Sequence, residues 1–83
     1  MKTINIKYKI KEYFFINPTT KLRVRQIERE VKVSLPSAIR YTKELEKEGI
    51  LKKTRVADVT LFSADRASKT YLLEKRLYNI QQL

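Results

Sequence analysis

Eighty-three residues, 42% of them hydrophobic, suffice for one modest core, and the chain reads as a single domain over 1–83. The absence of cysteine and histidine excludes disulfides, zinc sites of the usual sulfur and imidazole type, and the commonest general base. Nineteen Lys and Arg against nine Asp and Glu leave a net charge of +10, which makes polyanions the natural partners.

The apolar residues Ile4, Ile6, Tyr8 and Ile10 alternate like a strand, but Tyr13 and Phe14 continue Ile6 and Ile10 as a helical stripe. A first helix is expected from about Thr3, ending at Asn17 and Pro18. Lys21 to Arg25 suits an edge strand of two to four residues, with Leu22 and Val24 on one side. A short helix follows from about Arg25, on which Ile27 and Val31 lie four apart, and Val33 falls in a turn. Ser34 is a good N-cap and Pro36 fits a first turn, while Ala38, Thr42 and Leu45 share one face of a helix running to Glu48. Gly49, the only glycine, suits a left-handed C-terminal cap. Ile50 to Arg55 and Val59 to Ser63 form a hairpin around Val56, Ala57 and Asp58, which carry no strong turn signature. Ala67, Leu72, Leu73, Leu77 and Ile80 are spaced for a closing amphipathic helix, with Tyr71 and Tyr78 on a flanking stripe.

The expected class is mainly α with a small β-hairpin (α+β), in the order of a winged helix-turn-helix. The segment VRQIEREVKVSLPSAIRYTKELEKEGIL, Val24 to Leu51, resembles the helix-turn-helix of archaeal and bacterial winged helix regulators. Within it LEKEGIL is similar to the stretch that in that family ends the recognition helix and enters the wing. The tail ADRASKTYLLEKRLYN resembles the helix after the wing in archaeal members, some of which accompany nucleotidyltransferase genes or domains.

That resemblance implies a transcriptional regulator of double-stranded DNA, with the recognition helix in the major groove and a basic wing on the backbone. Ser37, Arg40, Tyr41 and Lys43 stand on the face that would enter the groove. Arg40 is the candidate for base reading, because its planar fork matches two acceptors on guanine. The plainer reading has Arg40 and Lys43 keeping an exposed helix soluble by pairing with Glu44 and Glu46. Lys52, Lys53 and Arg55 are expected to press on phosphate, although charged edge strands also guard against strand addition. Arg25, with Arg23 and Arg29, would reach flanking phosphate. Glu44, Glu46 and Glu48 suit the far half of that helix to a place away from DNA. Four of the five tyrosines sit on the terminal helices, where core or dimer packing explains them, and a homodimer through those helices is expected.

No nucleophile, base or metal spacing is recognisable, so neither catalysis nor a cofactor is expected. No apolar stretch approaches the length of a signal or a membrane span, which fits a cytoplasmic protein without membrane contact. Two other readings use the same charge: a winged helix that binds an acidic protein, and a binder of single-stranded nucleic acid or RNA.

Overall fold

The computed structural model describes residues 5–81. In chain order these are α1 (Ile6–Ile16), β1 (Lys21–Leu22), α2 (Val24–Val31), α3 (Leu35–Lys47), β2 (Leu51–Val56), β3 (Val59–Ala64) and α4 (Lys69–Gln81). The first helix opens later than its apolar stripe suggests, because the Asn5 side chain accepts the Tyr8 amide at 3.0 Å and caps it there. Thr3 lies outside the described residues. Arg23 precedes α2, and its amide donates to the Gln26 carboxamide at 2.9 Å.

Both ends of α3 fall where the sequence puts them. The Ser34 hydroxyl accepts from the Ser37 amide, and Pro36 occupies the first turn. At the far end Gly49 takes φ +85°, so that the Ile50 amide reaches back to the Leu45 carbonyl at 2.9 Å. Between α2 and α3 the chain turns through Lys32, whose φ of 62° is unusual for a residue with a side chain.

Because β1 joins the hairpin, the sheet has three antiparallel strands in the order β1-β3-β2. Val56 pairs with Val59 and belongs to β2, leaving Ala57 and Asp58 as the turn. The helix-facing side carries Leu22, Leu51, Phe62 and Ala64, which close on Ile10, Phe14, Ile27, Val31, Ala38, Leu45 and Ile50 to form the core. Thr42 is buried among them with its hydroxyl donating to the Ala38 carbonyl at 2.7 Å, so its polarity is satisfied.

The closing helix is seated differently from its leucine spacing. Tyr71 is 1% exposed and its hydroxyl donates to the Phe14 carbonyl, while the Phe15 ring lies 5.5 Å from Tyr71 and 5.4 Å from Tyr78. Tyr78 also donates to Glu12, and Lys11 pairs with Glu74 at 2.7 Å. With the tyrosine stripe turned inward, Leu72, Leu73, Leu77 and Ile80 point outward, each more than half exposed.

Candidate nucleic-acid interface

Burying Ala38, Thr42 and Leu45 fixes the rotation of α3 and turns Pro36, Ile39, Arg40, Lys43, Glu46 and Lys47 to solvent. The Arg40 side chain is 72% exposed, with its Nε 3.5 Å from Glu44 and its guanidinium carbon 5.4 Å from the Tyr41 ring centre. An exposed pair of this kind contributes about 0.3–0.5 kcal/mol, little enough to yield to a better acceptor. Lys43 forms no ion pair with Glu46 among the described residues.

Tyr41 and Ser37 stand to one side of that outward face. Tyr41 is half-buried against the core, so its ring serves as a shelf beneath Arg40. Ser37 is half-buried at the helix start, accepting from the Ser34 hydroxyl at 2.9 Å. Glu44 and Glu48 hold Lys7 of α1, whose ammonium is pushed above its ordinary pKa mainly by its hydrogen bond to Glu48. The far end of α3 is thereby tied to α1.

The sheet register divides the three hairpin cations. Lys53 lies opposite Phe62 and Arg55 opposite Thr60, on the helix-facing side. Lys52 lies opposite Ser63 on the rear side, one residue out of phase. Where β3 begins near the start of α2, a cleft of about 360 Å³ is lined by Arg23, Arg25, Arg29, Asp58 and Thr60 among others. Arg25 lines this cleft, whereas Arg55 stands across Thr60 on the outer strand β2. Among the described residues no three His, Cys, Asp or Glu come together as a metal-holding group.

Solved structures share this arrangement. TubR from Bacillus thuringiensis serovar israelensis pBtoxis, bound to 24 bp of tubC, superposes over all of both chains with a TM-score of 0.71 at 15% identity. The fold is a winged helix-turn-helix. In those terms α2 and α3 are the helix-turn-helix and β2–β3 the wing. A possible transcriptional regulator from Methanosarcina mazei Go1 matches 96% of this chain and 69% of its own, with a TM-score of 0.71 at 15% identity. The ferric uptake regulator from Francisella tularensis, with iron, gives a TM-score of 0.71 at 14% identity over 82% of this chain. The winged helix chain spans 56% of that regulator's length. No protein-family model and no curated protein matches the chain.

One residue of the outward face escapes a sequence reading that looks for polar groups. Ile39 is 41% exposed between the core stripe and Arg40. Its signal was phase, since it falls out of step with Ala38, Thr42 and Leu45.

Proposed function

We propose that this winged helix binds double-stranded DNA in a sequence-dependent way, as a homodimeric transcriptional regulator. The observation that carries the reading is the disposition of cations around α3. Arg40 and Lys43 leave its solvent face, and Lys53 and Arg55 leave the helix-facing side of the wing that α3 leads into. A protein of the same fold is solved with 24 bp of DNA, which supports the class of ligand.

The N-terminal half of α3 enters the major groove, where Arg40 exchanges Glu44 for guanine acceptors and Ile39 meets a thymine methyl. Ser37 and Tyr41 position this end, and Lys43 reaches base edge or phosphate. Lys53 and Arg55 contact backbone from the wing, and Arg25 reaches phosphate from the start of α2. Two copies join through the terminal helices, because Leu72, Leu73, Leu77 and Ile80 of α4 face outward and Leu73 and Leu77 line a groove with Tyr8, Phe15 and Tyr78.

Binding of matched and scrambled duplexes across a salt series tests these roles. Arg40→Ala should cost about 1–3 kcal/mol on the preferred duplex and relax preference at one base pair. Lys53→Ala should weaken all duplexes alike and lower the salt slope by about one. An Arg40→Ala protein with undiminished discrimination removes α3 from the reading.

A further inference from the structure

The rear of the sheet carries groups that the duplex-binding surface leaves unused. Lys21, Ser63 and Lys52 form one register row across β1, β3 and β2, so their side chains leave the sheet on the same side. Strands lie about 4.8 Å apart, which sets the two lysine stems roughly 10 Å apart with Ser63 between them. That span lets both ammonium groups close on one small anion above the serine. The three residues line a cleft of about 330 Å³, continued by Asp65, Arg66 and Ala67 of the loop before α4 and walled by Pro18 and Thr19. Clefts that hold small ligands begin at about 300 Å³.

Ser63 decides what the cleft is for. It is 6% exposed, yet among the described residues its hydroxyl joins no hydrogen bond with protein. That hydroxyl opens into the cleft, since no buried side-chain nitrogen or oxygen among the described residues lacks a partner, and it is free to bond a ligand there. Lys21, Lys52 and Arg66 likewise form no ion pair among the described residues. Asp65 is the one carboxylate in the lining, set against three cations, and its amide is spent on the Ile50 carbonyl at 3.0 Å. Among the described residues the amides of Arg66 and Ala67 donate to no backbone acceptor.

We propose that this cleft is an oxyanion site that takes a phosphate group, seated on the Ser63 hydroxyl and clamped by Lys21, Lys52 and Arg66. Phosphate fits because it offers several acceptor oxygens and a charge that three cations neutralise. The group belongs either to a small phosphorylated molecule or to a nucleic-acid backbone passing behind the sheet.

Titration of the full chain with inorganic phosphate, followed by amide NMR shifts against chloride at matched ionic strength, tests the site. Saturable shifts confined to Ser63, Arg66, Ala67 and their strand neighbours are expected with phosphate and not with chloride. The double variant Lys21→Gln, Lys52→Gln should weaken phosphate binding about tenfold or more, and Ser63→Ala several-fold, with amide dispersion otherwise retained. Shifts that do not saturate, that chloride reproduces, or that the double variant leaves unchanged overturn the site. Repeating the titration with saturating duplex separates the sources. Loss of the phosphate shifts identifies a nucleic-acid backbone as the occupant, and their persistence identifies a free phosphorylated molecule.

Discussion

The Tyr71 hydroxyl joins α4 to the Phe14 carbonyl at 3.3 Å, and burial pushes its pKa above 10.0, with Arg66 opposing. Lys7, held by Glu48 and Glu44, likewise titrates above its ordinary 10.5. In both cases the folded chain keeps a proton that the unfolded chain releases first. Their stabilisation is therefore complete below about pH 10 and is lost as pH rises through the folded values. Thermal melts from pH 7 to 11 should be level through neutrality and fall above about pH 10. Tyr71→Phe should cost about 1 kcal/mol at pH 7 through the lost hydrogen bond and make the alkaline fall shallower. An alkaline fall as steep as in the parent protein would deny Tyr71 this role. Neither tyrosine of the seated stripe could be separated from the leucines by spacing, because both sets recur at helical intervals. What sorted them was the hydroxyl, which finds the Phe14 carbonyl for Tyr71 and the Glu12 carboxylate for Tyr78, and the Phe15 ring that lies tilted against both.

At the scale of elements, caps and turns were the legible part. Ser34, Pro36 and Gly49 mark α3 because each answers a specific backbone need, whereas Asn5 was hidden by the alternating residues around it. Gly49 has a second duty that only the fold discloses. A β-carbon there would stand 2.9 Å from the Ser68 hydroxyl, which accepts from the Tyr71 amide at the start of α4. Gly49→Ala should therefore destabilise by more than the roughly 1 kcal/mol of left-handed strain alone, as read by denaturant midpoint. The wing turn offers the converse case. Ala57 holds φ 54° in a two-residue turn, so Ala57→Gly should raise stability by up to about 1 kcal/mol without altering the fold. A loss of stability in that variant would contradict the turn geometry.

For the whole molecule, net charge and element order pointed to the class of ligand, but the surfaces depend on how the elements face one another. Leu51–Val56 carries no apolar alternation, so the sides its cations take are known only once Phe62 is seen to close the core. Lys52 then joins Lys21 at the rear, and Lys53 and Arg55 stay with α3. Leucines that read as a packed face become the outer surface of α4, where a second copy would cover them. Leu73→Glu with Leu77→Glu should convert a dimer to a monomer in sedimentation while leaving the helical signal intact; unchanged sedimentation of a dimer would place the interface elsewhere. The most direct measurement of the central claim is selection of this protein's preferred sites from randomised duplex DNA. Enrichment of a short sequence repeated with two-fold symmetry, and bound with a steep salt dependence, is the predicted result. Salt-sensitive binding with no enriched sequence, or no duplex binding at all, would contradict it.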